Sequence, residues 1–346
     1  ATRINQQGLV EEMATGIPRL DYSDGGCPSL LLEPASTNLI QYSEDFSDAS
    51  WTIFDVTKEP NTIISPSGAL NGCRVTAISG TNRVMQNFLT LTADPSNDRT
   101  FTGSLYIKSP NTTSCSLRVG ASSSNNPITI SSEWQRFDAQ YVLGATFTAI
   151  RLAIVLNNEN DIVDVAFGQV EEQSYATSYI PTSGATATRV AETLSKTGLS
   201  NYINSSEGVL YAEISAFEES GGFRIFGISD STTNNRIIGY YFSSTNTIAF
   251  EVDLAGVDQL SGMSTVLSSA LDFNKIAFKY KENDFSLWVN GVEVATDNSG
   301  STFTSGTLNR LAFNDGGSGG KFYGKVKDLR VYKKALTDTE LISLTS

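Results

Sequence analysis

The residues that come nearest to a catalytic arrangement are Glu251-Val252-Asp253, two carboxylates two positions apart. Side chains alternate between the faces of a β-strand, so both would project from one side, as the paired acids of a glycoside-cleaving site must. The absence of histidine removes Ser-His-Asp and Cys-His triads, imidazole metal sites and histidine general bases. Cys27, Cys73 and Cys115 are odd in number and widely spaced, with no CxxC pair for zinc and no even disulfide framework. They are expected as small buried hydrophobes. The run Asn314-Asp315-Gly316-Gly317-Ser318-Gly319-Gly320 lacks the Lys-Ser/Thr of a phosphate loop and opens no helix. It has the flexibility and oxygen atoms of a ligand rim, but with one carboxylate it reads first as a solvated turn and only second as a calcium site at Asp315.

Recognition of a sugar asks for other residues: exposed rings on which its C–H faces can stack, flanked by Asn, Asp or Arg for the hydroxyls. Trp51, Tyr240, Tyr241 and Trp288, with Asn314 and Asp315 on the glycine-rich loop, make up the set of binding candidates. Each ring competes with a core assignment. That alternative is favoured for Trp288, balanced for Trp51, and adopted for Trp134 and Phe242.

The elements that must position these residues are strands. At 346 residues the chain is long enough for two domains, each with its own core. It is 40% hydrophobic and 18% charged, which fits neither a disordered acidic tail nor a membrane-inserted protein. A formal charge of −13 without any Lys/Arg cluster argues against a nucleic-acid partner. The opening ATRINQQGLVEE has no basic-then-apolar signal pattern, which points to assembly in the cytoplasm, although a chain cut from a longer precursor would look the same.

Residues 1–44 read as an extended N-terminal lead-in or attachment segment, with turn signals around one strand-like run, Ser29 to Leu32. Residues 45–182 carry short β-rich runs at regular spacing, among them Thr100 to Ile107, where Gly103 is expected to form a bulge that sets Phe101 apart from the Leu105/Ile107 face. Residues 183–206 are small and polar and read as a linker. From 207 to 346 eight strand-like runs follow, suited to a jelly roll. They include Asn290-Gly291, the signal for a type I′ hairpin. Thr337-Asp338-Thr339-Glu340 is a capping box that opens a short helix, expected to cover the sandwich edge. No amphipathic run of helical length alternates with the strands, so the fold class is all-β: two β-sandwich (jelly-roll) domains in tandem.

Three stretches resemble known families. Phe322 to Leu341, FYGKVKDLRVYKKALTDTEL, with Leu287 to Ala295, LWVNGVEVA, resembles the closing strands of laminin-G-like, or concanavalin-A-like, jelly rolls. FTGSLYIKSP (Phe101 to Pro110), SSEWQRFDAQY (Ser131 to Tyr141) and FGQVEEQSYATSYIPT (Phe167 to Thr182) resemble carbohydrate-binding-module-like sandwiches of phage structural proteins. The segment Gly8 to Trp51 is similar to one that recurs in phage and prophage tail, head-fibre or spike components. The resemblances imply a virion fibre, spike or decoration protein, assembled in a bacterial cytoplasm and exposed on the particle. Such a protein would present lectin-like modules to a host-surface polysaccharide. Its expected partners are other virion proteins and copies of itself, most simply as a homotrimer.

Such folds host enzymes as well as binders, so activity has to be argued from sites. Jelly-roll glycoside hydrolases of the laminarinase type carry Glu-x-Asp-x-x-Glu, and here Gly256 stands at the last position. Alginate-lyase-like jelly rolls would show Arg-x-Glu-x-Arg and a histidine strand, and both are missing. The expectation is therefore a protein without enzymatic activity or cofactor. The alternatives are a polysaccharide-degrading enzyme on a jelly roll and a purely structural virion component.

Overall fold

The computed structural model describes residues 1–217, 223–242, 245–260 and 262–346. They are nearly all strand and loop, with one helix, α1 (Asp338–Thr345). No described helix is long and apolar enough to cross a membrane. The chain divides into two compact units, one of residues 1–23 and 35–191, the other of 24–34 and 192–346.

The first unit is a sandwich of two five-stranded antiparallel sheets. One runs in the order Gln135–Leu143, Arg99–Lys108, Ile162–Glu171, Gly72–Ala77, Val56–Ile63; the other in the order Asn125–Thr129, Ser114–Val119, Ala149–Val155, Val84–Thr90, Trp51–Phe54. Period-two alternation explains its core. Phe101, Leu105 and Ile107 point inward against Val119, Leu117, Ile150 and Leu152 from the opposing sheet. Gly103 lies on that same face because a Cβ there would sit 2.7 Å from the Val119 side chain. The bulge expected at Gly103 lies elsewhere. Pairing of Arg99–Lys108 with Gln135–Leu143 is regular, and the register slips against Ile162–Glu171, between Ser104 and Tyr106. The surplus residues opposite that slip include Phe167, held at a positive φ of 58°. There Phe167 stacks on Tyr179 at 4.5 Å and meets Tyr106 edge-on at 5.7 Å, in a small second cluster with Val10 and Ala166.

The second unit is also a sandwich. One sheet runs Val292–Asp297, Phe285–Val289, Asn274–Lys281, Glu207–Ala216, Gly324–Tyr332, Ser29–Leu32; the other runs Ser195–Lys196, Arg310–Ala312, Phe223–Ser229, Arg236–Phe242, Thr247–Leu254, Val257–Asp258. Aromatic rings fill the space between them, with Phe250 stacked on Phe278 at 4.6 Å and Phe226 edge-on to Phe250 and Phe322. Asn290 and Gly291 both have positive φ, 47° and 84°, as a type I′ turn requires. Thr337 and Glu340 cap α1 reciprocally. α1 lies over a sheet face rather than an edge: its Leu341 is buried with Val209, Tyr211, Ala277 and Trp288, which point away from the core.

The lead-in and the linker are not separate segments. Ser36–Asn38 pairs with Ala187–Arg189 in the first unit, while Ser29–Leu32 pairs with Gly324–Tyr332 and Ser195–Lys196 with Arg310–Ala312 in the second. These strands are short, and their hydrogen-bond partners lie more than a hundred residues away, so no local signal marks them. Cys73 and Cys115 are buried, and burial pushes both thiols up to about 12, whereas Cys27 is exposed and departs from the expected burial.

Candidate functional site

Of the four rings in the predicted binding set, three are interior. Trp51 is 1% exposed, its indole N–H donates to the Tyr42 carbonyl at 2.8 Å, and its ring lies 4.8 Å from Phe46 and over Gly168. Trp288 is buried beneath α1 and donates to Ser286 Oγ at 2.9 Å. Tyr241 is fully buried, and burial pushes its hydroxyl far above the usual range. None of the three can offer a face to a sugar, because each ring is already covered by its own core.

Tyr240 lies on the other side. In Arg236–Phe242 the side chains of Ile237 and Tyr241 enter the core, so Arg236, Ile238, Tyr240 and Phe242 face outward. Gly239 belongs to the inward set, since a Cβ would come within 2.6 Å of Phe250 and 2.9 Å of Phe226. The neighbouring strand Thr247–Leu254 sends Ile248, Phe250 and Val252 inward and Ala249, Glu251 and Asp253 outward. The antiparallel register sets Arg236 opposite Asp253, Ile238 opposite Glu251 and Tyr240 opposite Ala249.

Two features share this outer face. The first is an aromatic trio of Phe223, Tyr240 and Phe242. Their ring centroids lie 4.7–5.4 Å apart in edge-on geometry, with Phe223 45% exposed and the other two half-buried. Phe242, expected in the core, is therefore an outward residue. The second is an ion triad: Arg236 Nε donates to Asp253 Oδ2 at 2.5 Å, Nη2 to Glu251 Oε1 at 2.6 Å, and Nη1 to the Asp315 carbonyl at 2.8 Å. Burial, followed by the hydrogen bond and charge of Asp253, pushes the Glu251 carboxyl up to about 7, against the opposing pull of Arg236. The two carboxylates do share one face, and they hold a single guanidinium between them.

Asn314 and Asp315 serve the loop itself. Asp315 Oδ1 accepts from the N–H groups of Gly317 and Gly319 at 2.9 and 3.1 Å, and Asn314 Oδ1 accepts from Gly316 at 3.1 Å. The loop carbonyls of Asp315 and Gly316 then orient Arg236 and Arg310. Among the described residues no group of three or more Asp, Glu or Cys side chains is placed to hold a metal.

Trp134 was also expected in the core and is half-exposed. It lines a cleft of about 400 Å³ in the first unit with Tyr106, Lys108, Glu133 and Ile64. Its indole donates to the Ile64 carbonyl at 3.1 Å, and Lys108 Nζ sits 4.9 Å from its ring centroid. The strand beginning at Gln135 places its inward residues from Phe137 onward, and Trp134, just before it, lies outside that alternation.

No curated protein matches the chain. Among solved structures it is similar to a carbohydrate-binding module of the Ruminococcus gnavus IT-sialidase, at 17% identity over 44% of this chain and 98% of that one, with a TM-score of 0.35. It is also similar to domain 4 of an extracellular arabinanase from Geobacillus stearothermophilus, at 16% identity over 47% and 73% of the two chains, with a TM-score of 0.35. A pair of LG domains of the mouse laminin alpha1 chain matches at 12% identity over 75% and 89%, with a TM-score of 0.27. Likenesses at this level carry no argument about ligand or activity. The family model described as the Concanavalin A-like lectin/glucanases superfamily matches residues 210–342, the stretch that contains the aromatic trio and the ion triad.

Proposed function

We infer that the chain is a carbohydrate-binding protein, and that the outer face of its second unit is the binding surface. The observation that carries this reading is the aromatic trio Phe223, Tyr240 and Phe242, left partly open beside the charged groups of Arg236, Glu251 and Asp253. Rings supply stacking area to the C–H faces of a sugar, and the guanidinium and carboxylates supply hydrogen bonds to its hydroxyls. The name of the family matched by residues 210–342, which joins lectins and glucanases, agrees with a saccharide ligand. In its finer form the proposal is a phage fibre, spike or decoration protein. It would act as a homotrimer on the particle, with its repeated weak sites gaining avidity on a host polysaccharide.

A depolymerase is the second reading, favoured by one observation: Glu251 is held near 7, as a general acid would be. Binding is preferred because Asp253, the other carboxylate, is engaged by the same arginine and Gly256 stands where a further acid would be needed. The test is a glycan array of the full chain and its Phe223→Ala variant, with the bound polysaccharides then assayed for new reducing ends. Loss of the array signal without any cleavage supports the proposal. An unchanged array profile removes this face from it, and cleavage abolished by Glu251→Gln replaces it with the enzymatic reading.

A further inference from the structure

The first unit carries two neighbouring arginines that have no carboxylate partner among the described residues. Arg118 on Ser114–Val119 and Arg151 on Ala149–Val155 face outward from the same sheet, on adjacent strands. Arg118 stands opposite Ala153, two residues from Arg151. In antiparallel sheets such diagonal neighbours lie roughly 7–8 Å apart, within reach of each other's side chains. Arg118 faces the small, covered side chain of Ala153 across the strands.

Several arginines of this acidic chain pair with carboxylates, Arg3 with Glu11, Arg74 with Asp164, Arg236 with Glu251 and Asp253, while Arg83, Arg136 and Arg310 donate to carbonyl or hydroxyl oxygens. Among the described residues neither Arg118 nor Arg151 has such a partner. Arg118 is only 8% exposed and is fixed by Nε donating to Asn125 Oδ1 at 2.6 Å. Arg151 Nε is buried with no hydrogen-bond partner. Its guanidinium carbon lies 5.5 Å from the centroid of Phe88, which stands directly opposite Arg151 on the next strand and is 48% exposed. Burial, and after it the like charge of Arg151, makes Arg118 hold its proton less firmly than usual. Arg118 is buried and Arg151 half-buried, and two adjacent cations withdrawn from water in this way are stabilised by an anion that completes the set.

We propose that Arg118 and Arg151, with Phe88 beside them, form an anion-binding site for the carboxylate of an acidic saccharide. A planar carboxylate can accept paired N–H donors from guanidinium groups, and the exposed Phe88 ring can receive the sugar's apolar face. A net charge of −13 disfavours nucleic acid as the occupant. The site lies in a different unit from the surface proposed above and does not depend on that reading.

The test is affinity electrophoresis and calorimetry of the full chain with oligogalacturonate and with oligosialic acid, using methyl-esterified oligogalacturonate, dextran sulfate and duplex DNA as comparisons. Binding to at least one carboxylate saccharide is expected, with a tenfold or greater loss in both Arg151→Gln and Phe88→Ala. The methyl ester should bind at least tenfold more weakly than the acid, and Lys281→Gln, at an exposed cation of the second unit, should leave the affinity unchanged. Phe88 is exposed, so its variant keeps the test valid if Arg151→Gln fails to fold. The proposal is overturned if neither acidic saccharide binds, if the ester binds as well as the acid, if the variants bind like the parent, or if dextran sulfate or DNA binds as tightly.

Discussion

Glu251→Gln should change how the stability of the second unit depends on pH, because the outer face keeps Glu251 protonated longer than an unfolded chain would. The carboxyl is held at about 7, against an ordinary value of about 4.5. Its contribution is fully present below about 4.5 and is lost as pH rises through 7, because between those values only the unfolded chain gives up the proton. At ~1.4 kcal/mol per pH unit the ceiling is ~3 kcal/mol. The side chain is 26% exposed and shares Arg236 with Asp253, so solvent screening brings the expected effect to about 1–2 kcal/mol. Glutamine keeps an oxygen for Arg236 Nη2 and cannot ionise. Relative to the parent, the variant should therefore gain about 1–2 kcal/mol between pH 4.5 and pH 8. Urea unfolding read by hydrogen exchange in Asn274–Lys281, a core strand of that unit, isolates the relevant transition. A parent–variant difference that stays constant from pH 4.5 to pH 8 would refute the reasoning.

Three further outcomes test the placement of residues. Trp51→Ala should lower the stability of the first unit by about 3–5 kcal/mol, the cost of emptying an aromatic core site, with an unchanged denaturation midpoint returning Trp51 to the surface. Gly239→Ala should cost about 1–3 kcal/mol, since its methyl group would press on Phe250 and Phe226, and a neutral result in thermal unfolding would show that Gly239 does not face the core. Thr337→Ala removes the cap of α1 and should cost about 1 kcal/mol, loosening the cover over Trp288 and shifting its fluorescence to the red. An unshifted spectrum would mean that α1 holds without its cap.

What could be read from the residues was what local geometry dictates. Asn290-Gly291 and Thr337 to Glu340 encode their turn and cap through backbone preferences within a few residues, and both form. Glu251 and Asp253 share a face because period two allows nothing else. That same periodicity requires one of Tyr240 and Tyr241 to point out, yet it does not say which. The choice depends on Gly239, whose missing side chain admits Phe226 and Phe250 from other strands. Trp51, balanced between core and surface by sequence, is buried, and Trp134, expected in the core, is half-exposed, for a related reason. A ring beside a loop is buried or exposed according to what lies across from it, and for Trp51 that includes Gly168, more than a hundred residues on. Arg236 was missed because nothing near it in sequence marks it as the partner of Glu251 and Asp253. Two residues of the acid motif and an arginine across the hairpin, paired by register, were the available signal.

The most direct test of the central claim is a crystal structure of the chain bound to an oligosaccharide selected on the glycan array. A sugar ring is expected against Phe223, Tyr240 and Phe242, with hydroxyls hydrogen-bonded to Arg236, Glu251 or Asp253. A neutral saccharide seated only in the cleft beside Trp134, or a second-unit face left bare at saturating neutral ligand, would contradict it.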